Sequence, residues 1–327
     1  MVRNYLIVLS IILTTVFLMG CNSEKSHSKG TEDKLNYPKK GVSLVVPFNP
    51  GGASDIHTRI LEKYFKDEFG QSLTFVYKPG AAGAVGTAQV ATMKDEDHTI
   101  MVANFPDIVI QPLTVTDNFS IDDFDYIAEV THSPLIFTTS KNSKLKTLED
   151  LIQAAKKSPG KISIAYAPNS VLHLSILDFI DQAGIDVTLV PYKDGAEAKA
   201  MIVGEHVDTA IVNLDLMVEE LDQITTLAVT TKERNDKISE IPTFKEQGYE
   251  VVSELSRIYV VPKGLSDEKL NRLREGFNTI GENSDYQNDM EKIGQPVTWL
   301  TGEELEEKVR EYHDYANKLV EKHKLNK

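Results

Sequence analysis

Residues 42–65 constrain the fold more than any other stretch. Val42 to Val46 is a Val-rich strand-like run. Pro47-Phe48-Asn49-Pro50-Gly51-Gly52-Ala53-Ser54-Asp55 follows as a loop of Pro and Gly, and Ile56, Ile60, Leu61, Tyr64 and Phe65 then recur at helical spacing. This order predicts strand, turn and helix, with Ser54 or Asp55 as the N-cap. A helix that opens on such a loop points unpaired N–H groups and the positive end of its dipole at the space above, so its default guest is an anion. Gly51 and Gly52 let that guest approach the main chain.

The same unit recurs. Leu73 to Tyr77 predicts a second strand, Lys78-Pro79-Gly80-Ala81-Ala82-Gly83-Ala84-Val85-Gly86 a second small-residue loop, and Thr87 to Met93 a second helix. Thr99 to Ala103 predicts a third strand, with Asn104 one residue beyond it. Alternation of this kind implies a parallel sheet whose loops meet on one rim. The acidic stretch Asp117 to Asp125 reads as a surface loop, and Tyr126 to Val130 and Leu135 to Thr139 as two strands running into a second unit.

That second unit alternates in the same way, with a capping box at Thr147-Leu148-Glu149-Asp150, a strand at Ile162 to Tyr166, a helix from Val171 to Gln182, a strand at Val187 to Val190, a helix from Ala196 to Val203, and strands at Val207 to Val212 and Leu227 to Thr230. Val251 to Val261 is long enough to return to the first unit, and Ser266 and Thr301 start two closing helices. The predicted organisation is a leader at 1–20, a tether at 21–36, one lobe from 37–133 with 254–327, and another from 134–253.

With 327 residues, 41% hydrophobic and 26% charged, the chain has an ordinary globular composition and room for two domains. Its formal charge of -14 argues against nucleic acid, and an anionic guest must be held by local dipoles instead of a positive global field. Met1 to Gly20 carries Arg3 and an apolar run too short to span a bilayer comfortably but suited to a signal peptide. Arg3 is the one charged residue there, so its removal takes -14 to -15. Leu18-Met19-Gly20-Cys21 resembles a lipobox, which makes Cys21 the lipidation site; Asn22 to Asn36 then reads as a flexible tether. An uncleaved anchor is the alternative. With one Cys there is no intrachain disulfide and no thiolate zinc site.

Several motifs in order resemble the Bug/TctC family, the extracytoplasmic receptors of tripartite tricarboxylate transporters. They are Tyr37-Pro38, the loop from Pro47 to Asp55, Pro79-Gly80-Ala81 with Gly83 and Gly86, Asn169-Ser170 with His173-Leu174, Val190-Pro191-Tyr192-Lys193, and Leu227-Ala228-Val229-Thr230 with Ile241-Pro242-Thr243. The resemblance implies a type II periplasmic-binding-protein fold, two α/β lobes closing on a ligand between them. It also implies partners, the large and small membrane subunits of the transporter; together with the lipobox and the missing catalytic and metal motifs, the expectation is a lipid-anchored monomer that is not an enzyme and has no cofactor or metal. Ligands of the family are small carboxylates: tricarboxylates, dicarboxylates, acidic amino acids and aromatic acids. The residues it points to are Phe48, Asn49, Gly51, Gly52, Ser54, Asp55, Gly80, Ala81, Ala82, Gly83, Asn104, Asn169, Ser170, His173, Tyr192, Asn213 and Arg257. Two departures stand out. Val212 precedes Asn213 where members often carry Asp, and Leu255-Ser256-Arg257-Ile258 replaces a Trp-containing stretch.

Taken as residues alone, several of these have two readings. Asp55 either caps its helix or holds a bridging water, and the glycines are either turn residues or a cradle. His173 is either a structural helix residue or a cleft residue, and Asn169 and Ser170 either cap that helix or donate to a ligand. Arg257 is either a charge on a solvent-facing strand or a bidentate carboxylate clamp. No catalytic motif is present: the glycines lack a Walker Lys, Gly80, Gly83 and Gly86 do not make Gly-x-Gly-x-x-Gly, and the histidines show no metal spacing. Beside the transport receptor, a ligand-sensing module for a membrane signalling system fits the same binding chemistry, and an extracytoplasmic hydrolase is the reading from the enzyme class.

Overall fold

The computed structural model describes residues 35–93, 97–193, 195–293 and 295–325. The leader, Cys21 and all but the last residues of the tether lie outside the described residues, as does Asp194.

In the first sheet β1 (Val42–Val46), β2 (Leu73–Tyr77) and β3 (Thr99–Phe105) run parallel, with β1 in the middle. β4 (Phe124–Ser140) starts in this sheet, where β9 (Glu254–Pro262) pairs antiparallel with both β3 and β4. β10 (Val297–Thr301) closes β4's other edge. From Leu135 onward β4 belongs to the second sheet, flanked by β7 (Thr209–Asn213) and β8 (Ile224–Val229). There β5 (Ser163–Tyr166) lies parallel between β7 and β6 (Thr188–Pro191).

Period-two alternation decides what each face of the first sheet buries. Leu44, Val46, Ile100, Val102 and Tyr259 face Leu61 and Phe65 of α1 (Ala53–Phe69) and Phe277 of a helix near the end of the chain. Val45, Met101, Ala103, Ile258 and Val260 face the opposite way, toward Val90 of α2 (Ala84–Ala91) and Ile108 and Val109 of α3 (Asp107–Thr114). The second core gathers Phe137, Ile164, Ala210 and Val212 with Leu151 of α4 (Leu148–Lys157), Phe179 of α5 (Val171–Ala183) and Ile202 of α6 (Gly195–Val203). The chain ends with α7 (Asp267–Gly281), α8 (Ser284–Lys292) and α9 (Gly302–His323). Leu305 and Val309 of α9 join the first unit's core, whereas Ala316, Leu319 and Val320 join the second's.

The structure corrects several sequence expectations. The N-cap of α1 is Gly52, not Ser54 or Asp55. Tyr126–Val130 and Leu135–Thr139 are one continuous strand, because bulges let β4 bend from one sheet into the next without ending. Phe119 and Ile121 are buried, so the stretch before Asp125 is not a plain surface loop. Asn104 lies inside β3, and β9 starts at Glu254 instead of Val251. Ser266 and Thr301 hold the N-cap positions of α7 and α9 but make no side-chain capping bond. α3 has no helical signature in the sequence, since Ile108-Val109-Ile110 is β-branched and Pro112 lies within the helix, and burial overrides those propensities.

His57 is fully buried on α1, its Nε2 3.3 Å from the Tyr286 hydroxyl and its Nδ1 3.4 Å from that of Tyr259. Burial first, and then the charge of Arg257, lower it from 6.5 to about 3. The unfolded chain therefore takes up a proton near pH 6.5 that the folded chain refuses until about pH 3. Stability present above that window is lost as pH falls through it, by up to about 1.4 kcal/mol per pH unit. Urea midpoints compared at about pH 7 and about pH 5 should fall further for the wild type than for His57→Gln. Equal losses in the two chains would show that His57 is not the group responsible.

Candidate functional site

Two glycine loops and the end of β3 form the rim predicted from the sequence, and they are packed on one another. Gly51 needs its glycine because its φ is +82°, but Gly52 has an ordinary φ of -76°. The carboxylate of Asp55 accepts from the Gly51 amide at 2.7 Å and from the Tyr77 hydroxyl at 2.7 Å, and Arg59 Nε lies 3.1 Å away. Burial opposes ionisation, but these three partners together hold Asp55 below the usual carboxylate range. Asp55 thus ties the first loop to the strand that feeds the second.

The second loop is strained. Ala81 and Ala82 have φ of 46° and 53°, a left-handed conformation costly for any residue with a Cβ, and Gly83 follows at 101°. Strain of about 1–3 kcal/mol per such residue persists where surrounding contacts fix it, and ligand clamps are among the places where it collects. The contacts here are Gln111 Nε2 of α3, which donates to the Ala82 carbonyl at 2.9 Å, and Thr87, whose hydroxyl donates to the Gly83 carbonyl at 2.9 Å. A Cβ on Gly83 would lie 3.1 Å from the Phe48 ring, and one on Gly86 2.7 Å from the Lys78 carbonyl and 2.8 Å from Pro47. Close approach of the two loops is therefore built into both glycines.

Below them, Asn104 shares β3's inward face with Ile100 and Val102, and Ser54 Oγ lies 3.4 Å from Asn104 Oδ1. Arg257 of β9 stands beside Asn104 in the ladder and is only 2% exposed. It is not a surface charge. Its Nη2 is 3.7 Å from Asp215 Oδ2, in the turn after β7, which is an ion pair too long for a hydrogen bond. Among the described residues, neither Nε nor Nη1 of Arg257 has a hydrogen-bond partner.

From the second unit, Asn169 adopts φ 54° and its amide donates to His173 Nδ1 at 3.4 Å, while the Ser170 hydroxyl donates to the Ala167 carbonyl at 2.7 Å. His173 is buried and stacks obliquely on Tyr166; burial, then the charge of His323, lowers it to about 4. Asn213 ends β7, two residues before Asp215. Tyr192 is buried in the second core, donates to the Ile211 carbonyl at 3.2 Å and lies close enough to Asp107 to feel its charge. Asn49, Gly51, Gly52, Gly80, Ala81 and Ala82 remain exposed around the first unit's loops.

The loops enclose a cavity of about 10 Å³, lined by Phe48, Ala82, Gly83 and Asn104 together with Asp107 and Gln111. That is room for one water. Asp107, Gln111 and Asp215 were missed in the sequence: the first two because α3 was unread, the third because no local spacing links it to Arg257. A cavity of about 610 Å³ lies elsewhere, lined by Phe105, His132, Arg234, Ser256, Lys308 and Tyr312 among others, and it shares no lining residue with the first. Arg257 and Ser256 alternate on β9, so the larger cavity opens on the strand's other face.

Residues 58–325 match the profile described as Tripartite tricarboxylate transporter family receptor. Protein BugT of Bordetella pertussis is 27% identical over 249 residues, which are 74% of this chain and 76% of that one. A TctC solute-binding protein from Polaromonas, solved without ligand, is 25% identical at a TM-score of 0.73, over 88% of this chain and 99% of its own. An R. palustris protein solved with adipate shares the fold at a TM-score of 0.77 and 23% identity, over 87% of this chain and 97% of its own. The chain belongs to the tripartite tricarboxylate transporter receptor family, and its α/β architecture is that of the two-lobed periplasmic binding proteins.

Proposed function

We propose that this chain is a lipid-anchored extracytoplasmic receptor that captures a small carboxylate and passes it to the large and small membrane subunits of a tripartite tricarboxylate transporter. The ligand is a di- or tricarboxylate, an acidic amino acid or an aromatic acid. The observation that carries this reading is Arg257, a buried guanidinium beside Asn104 whose Nε and Nη1 have no hydrogen-bond partner among the described residues. Unpaired buried donors are costly, and a carboxylate is the group whose geometry matches the guanidinium fork. The lobes are 37–133 with 254–327, and 134–253. A ligand touching both stabilises the closed arrangement by its differential affinity for it. The adipate held by the R. palustris protein of the same fold is consistent with this ligand class.

Arg257→Ala is expected to weaken carboxylate binding at least about tenfold, about 1.4 kcal/mol, in calorimetry over a panel of mono-, di- and tricarboxylates. An unchanged affinity for the acid that binds the wild type would remove Arg257 from the site. Cys21→Ser is expected to abolish lipid attachment and release the chain from the membrane fraction; undiminished membrane association would reject the anchor.

A further inference from the structure

Helix α5 begins without a cap of its own. Its first helical residue, Val171, carries an N–H that no carbonyl within the helix can accept. Ser170 occupies the N-cap position, where a hydroxyl would ordinarily take such a proton, but its Oγ donates backward to the Ala167 carbonyl. The acceptor comes from another part of the fold. Asp107, the first residue of α3, places Oδ1 3.0 Å from the Val171 amide. α3 follows a strand of the first sheet and α5 a strand of the second, 64 residues apart in sequence. Asp107 is buried, hydrogen-bonded to Asn104, and close enough to Arg257 to feel its charge.

We propose that Asp107 is a latch between the lobes that also limits which acids enter: it caps α5 from the opposite unit, so a ligand carboxylate reaches the Val171 N–H only by displacing it. Two carboxylates cannot both take the Val171 N–H, and a second one placed beside Asp107 at this helix end faces a like charge. In the structure the protein's own carboxylate occupies that seat. An acid with a single carboxylate, held by the first-lobe loops and Arg257, leaves the latch in place. An acid with a second carboxylate that reaches α5 competes with it. The competition rests on the carboxylate reading above, whereas the latch does not.

Amide hydrogen exchange at Val171, followed by NMR without added ligand, tests the latch directly, since that N–H has no intrahelical acceptor. Wild-type exchange should be at least about tenfold slower than in Asp107→Ala, with the Phe179 amide in mid-helix unchanged in both. An unprotected Val171 in the wild type, or equal protection in the variant, overturns the proposal. Should Asp107→Ala fail to fold, Asp107→Asn carries the measurement: its weaker acceptor should speed exchange several-fold, and no change overturns the latch. In calorimetry with adipate as probe, Asp107→Ala should bind more tightly than wild type, and equal or weaker binding overturns the competition. If neither chain binds adipate or any other acid of the carboxylate panel, the carboxylate reading is what fails, and the exchange result still decides the latch.

Discussion

Continuity of one strand holds this architecture together. β4 runs seventeen residues through both sheets, and every part of it is flanked: β9 and β10 in the first sheet, β7 and β8 in the second. From Ala128 to Thr131 and again from Ile136 to Thr138 it is paired on both edges and cannot open there without exposing backbone donors and acceptors on each side, so the two units share a well-protected element. Register shifts between Tyr126 and Ala128, between Glu129 and Thr131, and between Phe137 and Thr138 supply the bend that passes it from one sheet to the other. Arg257 pairs with Thr131 in this ladder, three residues before the strand reaches Pro134. Any flexing of the β4–β9 pair therefore moves the guanidinium relative to Asp215, which hangs from the second sheet.

An acidic chain that takes an anion has to solve a local problem against its own field. At -14 the global potential repels the guest. In the reading proposed above, the first-lobe loops oppose that with main-chain amides and a helix start, partial charges that cost no counter-ion and act only at short range. They also have to stay open. Asp55 occupies the Gly51 amide, so part of the loop's donor capacity is spent on joining the two loops. What remains is the strained Ala81-Ala82 turn, fixed from outside by Gln111, and the full charge on Arg257. A preorganised turn and a buried cation are stronger in combination than exposed lysines would be, because surface charges are screened within about a Debye length.

The strand-loop-helix repeat was legible because it is written in local terms. Val42 to Val46, the glycines, and Ile60, Leu61, Tyr64 and Phe65 each carry their meaning within a few residues, and the structure has β1, the loop and α1 in that order. Arg257 was singled out from the sequence, but the face it takes was not, because Ile258, Tyr259 and Val260 are apolar on both sides of the strand. Only the sheet, with a core against each face, settles it. Asp215 and Asp107 were beyond reach for a different reason. Asp215 meets Arg257 from the turn that joins β7 to β8, 42 residues before it in the chain, and Asp107 meets Val171 across 64 residues of chain. Side chains that act between units leave no periodicity to read. α3 itself was hidden by β-branched residues and Pro112, which local propensity weighs against helix and tertiary packing overrules.

The charge count around Arg257 links the two halves of the site. His57, held neutral by burial, adds nothing, so one guanidinium faces two carboxylates, Asp215 and Asp107. Asp215 supplies charge without a hydrogen bond at 3.7 Å, which leaves Arg257's fork undirected. Asp107 is in the less comfortable position: burial raises it to about 6, against the Val171 amide, Asn104 and Arg257, which all favour its ionised form. A ligand carboxylate entering this cluster makes the local sum more negative. That sum is relieved if Asp107 leaves α5 for water or takes up a proton, and both routes release the contact between the units. Under the carboxylate reading and the latch proposed above, binding at the first-lobe loops and letting go at α5 are coupled by electrostatics, through one side chain and the bend already present in β4.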